Sequence, residues 1–426
     1  MIHLSFKLNI MRIYYYCLVL LCLSACGKKS QTKQSLEQKP TKTFYKIDLS
    51  HDFTGSNDSL LLSDIVENVE YVKLETSDDC LIEGGSGSIY SITKDNIYAM
   101  NRFKTPFCFE RKTGKYINTI GSIGQGPKDI LCPIHIFGKD SLVYIQELYT
   151  KEVKIYAKNG RYIKSIRPAR KGGSAMSFAI IDHQYIIQHP RQIVIPHNQK
   201  QKEAIWNNYF SVLVSDLKGN EIYTQKHVLE VNEMLVGDDE PIKWYYDNLL
   251  NFYNYIDDTI YAVTGDSIIP RYYLNMGKNK WPVSTAKMTK EYTKYIRLQS
   301  VRETKDFLYL YWAQNKKAYL ACFNKHDETL KVQEQNPISG FFTMFTIHGL
   351  PNDIDGYDYS IDFKNLVDEE SSILIEVNCD NIDEIKKELA IEKNIKFPEK
   401  RLELLRLLEE MKEEDNPILA IYKLKR

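Results

Sequence analysis

Two short stretches inside the chain, and one near its start, carry side chains whose type and spacing could do chemistry. In the run NDIDG at residues 352–356, the amide and carboxylates of Asn352, Asp353 and Asp355 gather acceptor oxygens within four positions. That is part of what a calcium ion takes, or a polar hook for a ligand. No third acidic position or glutamate follows at EF-hand spacing, and the commoner use of such a cluster is an Asx turn, in which a side chain bonds its own backbone two residues on. The run IGSIGQGPKDI at residues 120–130 has three glycines and a lysine, the raw material of a phosphate cradle. A P-loop leads from a strand into a helix with Lys-Ser/Thr at a fixed offset, whereas here Pro127 and Asp129 follow. Glycines that permit tight turns in a loop between strands account for this run. The nine histidines form no H-E-x-x-H pair and no G-x-S-x-G elbow occurs, so hydrolase machinery has no local signature.

The third stretch is Leu23-Ser24-Ala25-Cys26. Lys7 and Arg12 precede an apolar run at residues 13–26 that is shorter than the roughly 20 residues a membrane-spanning helix needs. The run therefore reads as an export signal over residues 1–25, and its end resembles the lipobox of bacterial lipoproteins. That resemblance implies that the Cys26 thiol accepts a diacylglyceryl group and that acyl chains such as palmitate anchor the mature protein. Residues 26–42 are polar, lysine-rich and free of aromatics, a composition that cannot offset its own ordering entropy, and form a flexible tether. Gly27 is not the aspartate that commonly retains lipoproteins at an inner membrane. The expected address is the outer membrane, facing the periplasm.

Of the eight cysteines, Cys80, Cys108, Cys132, Cys322 and Cys379 lie beyond this segment, with no C-x-x-C pair and no zinc-like histidine spacing. An odd count argues against a full disulfide framework and leaves room for one bridge in an oxidising periplasm. Lys+Arg and Asp+Glu both number 56. No excess positive charge exists to hold nucleic acid, and a monomer is expected. With 426 residues and 43% apolar content the chain can bury a large core. Its 30 tyrosines suit pleated, half-buried strands.

The elements that would position these residues are announced by a repeat. FCFERKTGKYINTI at residues 107–120 is echoed by VKIYAKNGRYIKSI at 153–166, VLVSDLKGNEIY at 212–223 and LACFNKHDETLK at 320–331. Aligned on Gly114, Gly160, Gly219 and Asp327, each copy has an apolar residue three positions on: Ile117, Ile163, Ile222 and Leu330. A second motif, a polar start followed by a β-branched or aromatic run, appears six times: DNIYAMN, DSLVYIQ, DHQYIIQH, DDTIYAVT, KDFLYLYW and ESSILIEV. Self-similarity at this period with several short strands per unit predicts an all-β protein, a six-bladed β-propeller over residues 43–426, its hairpins joining outer strands of successive blades. Apolar positions at Leu402, Leu405, Leu408 and Met411, with Pro398 as a start, predict a short helical insertion within 381–415. Residues 416–426 return to strand alternation and are expected to share a closing blade with TFYKIDLS at 43–50.

These stretches, with VEYVKLETSDD (69–79) and DDTIYAVTGDSIIPRYYL (257–274), resemble the six-bladed propeller lipoproteins of Gram-negative anaerobes, of NHL/TolB-like architecture. The resemblance implies fold and location rather than an activity. Where its members continue NDIDG with a second glycine, this chain has Tyr357. Two functions follow as expectations. The first is a non-catalytic, membrane-tethered lipoprotein whose loops at one end of the channel bind a protein, peptide or glycan, with Asn352, Asp353 and Asp355 as candidate contacts and no cofactor. The alternative is a calcium-dependent hydrolase of the lactonase kind. Mass spectrometry of the membrane fraction should find Cys26 as an acylated N-terminal residue. An unmodified Cys26 in a protein that still pellets with membranes would refute the anchor.

Overall fold

The computed structural model describes residues 44–83, 88–150, 152–167, 176–181, 185–190, 200, 210–226, 242–254, 257–263, 267–280, 292–335, 347–348, 350–357, 360–361, 372–378, 382–391 and 393–425. The chain divides into a unit Met1–Thr43, which lies outside the described residues together with Cys26 and the tether, and a unit Phe44–Arg426. In the second unit, β1 (Tyr45–Asp48), a single helical turn α1 (Leu62–Ile65) and β2 (Val66–Lys73) lead into a series of antiparallel sheets. The first comprises β3 (Ser88–Ile92), β4 (Asn96–Asn101), β5 (Phe107–Glu110) and β6 (Tyr116–Thr119). The second is β7 (Pro133–Lys139), β8 (Leu142–Glu147), β9 (Val153–Ala157) and β10 (Tyr162–Ile166), and the third β11 (Met176–Ile181), β12 (Tyr185–Pro190), β13 (Phe210–Asp216) and β14 (Glu221–Lys226). The fourth is β15 (Ile242–Tyr246), β16 (Leu249–Tyr253), β17 (Thr259–Val263) and β18 (Ile268–Asn275). The fifth is β19 (Arg297–Glu303), β20 (Phe307–Gln314), β21 (Lys317–Asn324) and β22 (Leu330–Gln335). First strands of neighbouring sheets pack together, β3 on β7 and β15 on β19, as inner strands around an axis must. The unit is a β-propeller.

Five blades have four or more strands, where six were expected. After the two-residue strands β23 (Ile347–His348) and β24 (Ser360–Ile361), β25 (Ser372–Val377) joins β26 (Ile418–Leu424) and β2 in a three-stranded sheet. Both chain ends meet there, because the last strand pairs antiparallel with β2 from Val66↔Leu424 to Lys73↔Ile418. The N-terminal partner differs from the one the sequence suggested. Segment 43–50 supplies β1, which adds to blade four as a fifth strand in parallel register, Tyr45↔Tyr272 through Asp48↔Asn275. Alternation alone marks both segments as strands; the pairing with β18 brings Tyr45 onto Tyr272, ring centroids 5.4 Å apart, and Asn275 to the Asp48 carboxylate (3.1 Å).

The recurring hairpins are β5–β6, β9–β10, β13–β14 and β21–β22, so each joins the third and fourth strands of one blade rather than two blades. The copy that the spacing skips is β17–β18 of blade four, and DDTIYAVT is its third strand rather than its second. The helical insertion is two helices, α2 (Ile382–Leu389) and α3 (Pro398–Glu409), with Pro398 in the first turn of α3. Leu404, Leu408 and Met411 are buried, while Leu402 is 66% exposed. Leu405 also packs against this cluster, so of the expected stripe only Leu402 misses it, because steps of three fall behind the 3.6-residue turn. The helices pack with Ile354, Ile373, Tyr422 and Leu424 beside the closing sheet.

The hairpin repeats because its turn locks the blade's other turn. In blades one, two and five the residue after the third strand donates its N–H to the carbonyl just before the second strand: Arg111 to Asp95 (3.0 Å), Lys158 to Ser141 (3.0 Å) and Lys325 to Asp306 (2.8 Å). Two of these residues also reach with their side chains to equivalent carbonyls, Arg111 to Thr93 (3.1 Å) and Lys325 to Thr304 (2.5 Å). Each further meets a carboxylate at the joint between blades, Arg111 at Glu70 of β2 and Lys325 at Glu303. Glu303 is fully buried and also takes both arms of Arg271 from the preceding blade's outer strand (2.7 and 2.8 Å), the Tyr272 hydroxyl and the Trp244 indole. Burial opposes its ionisation, yet the charges of Arg271 and Lys325 and their hydrogen bonds hold its pKa below the ordinary glutamate range. A depressed folded pKa contributes stability that is present above the unfolded value, about 4.3, and is lost as pH falls through the folded one. Glu303→Gln should cost about 3 kcal/mol in urea unfolding at pH 7, since it leaves buried cations without their anion. It should also flatten the acid limb of stability against pH. An unchanged midpoint and slope would remove this joint from the stabilising interactions.

Candidate functional site

Loops between a blade's second and third strands lie at the same end of a propeller as the blade-to-blade loops, because successive strands alternate in direction. Across the closing sheet, blade one and blade two, four such loops are tied together. Asn101 at the end of β4 receives the N–H of Glu83 (3.0 Å) and donates to the Leu81 carbonyl (3.4 Å), binding the loop that enters blade one. Phe103 donates its N–H to Pro133 (3.0 Å) and Leu148 donates to Cys132 (2.9 Å), so the loops after β4 and β8 both fasten to the segment between blades one and two. Glu147, buried at the end of β8, accepts N–H bonds from Leu131 (3.2 and 3.1 Å) and Cys132 (2.9 Å). Burial pushes its carboxyl pKa up against the pull of those bonds.

This scaffold presents Leu81, Phe103, Ile123, Leu131 and Tyr149 to solvent, five large apolar side chains from four linked loops. Tyr149 is 72% and Phe103 50% exposed. Phe103 also has φ +68° in its turn, a left-handed backbone that costs a bulky side chain roughly 1–2 kcal/mol. Arg102, Lys104 and Lys128 are exposed around the patch, with Lys104 paired to Glu83. The glycine-rich run forms the loop between β6 and β7. Asp129 accepts from the Gly126 N–H (2.9 Å) and the Ser122 hydroxyl (3.1 Å), and a Cβ on Gly124 would collide with its carboxylate. The glycines thus close the loop around Asp129, as a turn role requires, and the loop raises Ile123 into the patch.

Asn352, Asp353 and Asp355 lie elsewhere, and all three are buried. Asn352 Oδ1 accepts from the N–H groups of Ile354 (2.9 Å) and Asp355 (3.2 Å), while its Nδ2 donates to Asp355 (2.7 Å) and to the Tyr357 carbonyl (2.6 Å). Asp355 takes hydroxyl hydrogen bonds from Tyr71 on β2 and Tyr422 on β26. Its pKa is raised by burial against those hydrogen bonds. Asp353 accepts from the N–H (2.9 Å) and hydroxyl (2.5 Å) of Ser63 and pairs with Lys396 (3.2 Å). The geometry is that of an Asx turn clasping both chain ends. Tyr357, in place of a glycine, packs half-buried against the closing cluster.

Among the described residues no three His, Cys, Asp or Glu side chains converge as a metal site. Cys80, Cys108, Cys132 and Cys322 carry free thiols, and burial pushes the thiol pKa of Cys108 up to about 11 and of Cys322 up to about 12. Cys379 lies outside the described residues. Sequence reasoning missed the patch because scattered single apolar loop residues have no period; the signal available was the bulky Phe103 in a polar turn, NRFKTP.

A family model described as "Domain of unknown function (DUF4934)" matches residues 44–423. The crystal structure of a Bacteroides fragilis protein, inferred to be exported, matches at 16% identity with a TM-score of 0.59, covering 90% of this chain and all of that one. A member of the DUF4221 family from Bacteroides vulgatus matches at 11% identity and a TM-score of 0.46, over 84% of this chain and 97% of its own. No curated protein matches. The first likeness supports the fold. If the patch is held at the expense of stability, Phe103→Gly should raise stability by about 1 kcal/mol in urea unfolding, by relieving the left-handed backbone with little packing lost. A drop in stability would mean that the Phe103 ring supports the fold instead.

Proposed function

The chain belongs to the DUF4934 family, and on that premise we propose that it is an exported, lipid-anchored binding protein whose loop face across blades one and two takes up a partner protein or peptide. The carrying observation is the set of five exposed apolar side chains, Leu81, Phe103, Ile123, Leu131 and Tyr149, on hydrogen-bonded loops at one end of the propeller. Exposed large apolar groups in one place mark an interaction surface, and aromatic anchors ringed by polar groups are the usual energetic centre of one. Three aliphatic members favour a protein surface over a glycan, which needs aromatic platforms and hydrogen-bond donors instead. Acylated Cys26 fixes the mature protein to the outer membrane facing the periplasm. Export is in keeping with the likeness to the Bacteroides fragilis structure.

The lactonase-like alternative has no ligand set among the described residues. Titratable groups that could serve chemistry, Glu303 and Asp355 above all, are engaged with partners inside the fold.

Immobilised wild-type protein should capture a specific envelope protein from detergent-solubilised membranes, with cross-links mapping to residues 101–107 and 120–133. Phe103→Ala with Tyr149→Ala should weaken capture at least about tenfold, as loss of two anchors does, at unchanged circular dichroism and melting. Asp355→Ala should instead lower stability, by removing the acceptor that two buried tyrosine hydroxyls share. Equal capture by the double variant, or calcium-dependent turnover of a lactone by the wild type, would overturn the binding reading.

A further inference from the structure

Half of the propeller's outer rim is covered by the chain itself. β1 adds to the outer strand of blade four in parallel register. The segment after it then runs along the outer strand of blade five, with an Asn57↔Gln333 bridge and bonds from Asp58 to Val332 (3.3 Å) and from Glu334 to Ser56 (2.8 Å). It ends as β2, an edge of the closing sheet. Under this belt Leu330, the apolar residue three positions past the hairpin turn, is half-buried against the cluster that also takes Tyr45 and Phe53.

On blades one to three, β6, β10 and β14 end their sheets among the described residues, and Ile117, Ile163 and Ile222, each at a bulge in its strand, are 49%, 39% and 42% exposed. Leu330 instead pairs in regular register with Phe323, without a bulge. Strand edges with outward apolar groups invite an added strand, and blade four shows that this fold's outer edge accepts one. The three open edges differ in charge. Along residues 157–167 of blade two stand Lys158, Arg161, Lys164 and Arg167, all exposed, with no carboxylate in the stretch. Arg167 pairs with Glu152 beside it. The corresponding stretch of blade three mixes Asp216 and Glu221 with Lys218 and Lys226.

We propose that the outer edge of blade two is a β-augmentation site, at which an extended segment of a partner polypeptide, alternating apolar and acidic residues, pairs with β10. Its backbone completes the free ladder, an apolar side chain covers Ile163, and its carboxylates meet Lys158, Arg161 and Lys164. This edge is separate from the loop face, so either assignment can fail without the other.

The test uses two synthetic probes, capped (Val-Glu)4 and capped (Val-Lys)4 peptides, with the full chain, calorimetry at low and high salt, and amide hydrogen exchange. The acidic peptide should bind, slow exchange along residues 161–167 and weaken as salt rises. Ile163→Asp and Lys164→Glu should each reduce affinity about tenfold, as expected of a hydrophobic or charge contact at such an edge. Ile222→Asp on blade three and Phe103→Ala on the loop face should leave it unchanged. Absence of binding at millimolar peptide, equal binding of the basic peptide, protection elsewhere than β10, or indifference to both blade-two variants would overturn the proposal.

Discussion

A propeller blade has two apolar faces and can bury them only against two neighbours, so the fold depends on the one joint where no continuous chain links the sheets: the pairing of β2 with β26. Backbone ladder bonds alone would leave that joint as two edge strands in register. The clasp around Asp355 adds what they lack, since Tyr71 comes from one chain end and Tyr422 from the other, and both hydroxyls are spent on one carboxylate. Burying that carboxylate is costly, as the upward push on its pKa records, and the cost is offset only when both ends are home. Ser63 and Lys396 on Asp353 extend the clasp to α1 and to the approach of α3. The helices are therefore part of the closure rather than an ornament on it.

The same logic recurs at smaller scale between blades. In blades one and five the cation after the third strand, Arg111 or Lys325, is used at once to tie its own blade's turns and to meet a carboxylate at a joint between blades. A basic residue at this repeat position thus does two structural tasks in those two blades, while blade three has Leu217 there. Fixing one end of the propeller in this way leaves the loops at the other end free of that duty. Those are the loops that carry Phe103, Leu131 and Tyr149, and they can differ from blade to blade without loosening the ring.

How much was legible follows from the range of each signal. Strands, hairpin turns and the period come from neighbouring residues, through alternation and through glycines such as Gly114 and Gly160 at positive φ, so sequence alone determined the propeller class and the place of most strands. The helix start at Pro398 was equally local. Partner choice was not: β1 and β2 both read as strands near the N-terminus, and which one meets β26 depends on side chains hundreds of residues away, Tyr272 for β1 and the Asp355 clasp for β2. A three-stranded closing sheet in place of a sixth full blade was likewise beyond a motif count, because a strand-start motif marks one strand and not its neighbours.

The candidate site divides the same way. Sequence singled out Asn352, Asp353 and Asp355 for their oxygen atoms, and composition cannot say whether such oxygens face water or each other; burial and the tyrosine hydroxyls place them inside the ring joint. The glycines around Asp129 were readable as turn residues because their freedom is local, whereas the loops of Leu131, Tyr149 and Phe103 are joined only when the chain folds back and Glu147, Pro133 and Cys132 bind them together. Chemistry and periodicity are written along the chain. Adjacency between blades, and the direction a loop side chain points, are set by contacts that exist only after the ring has closed.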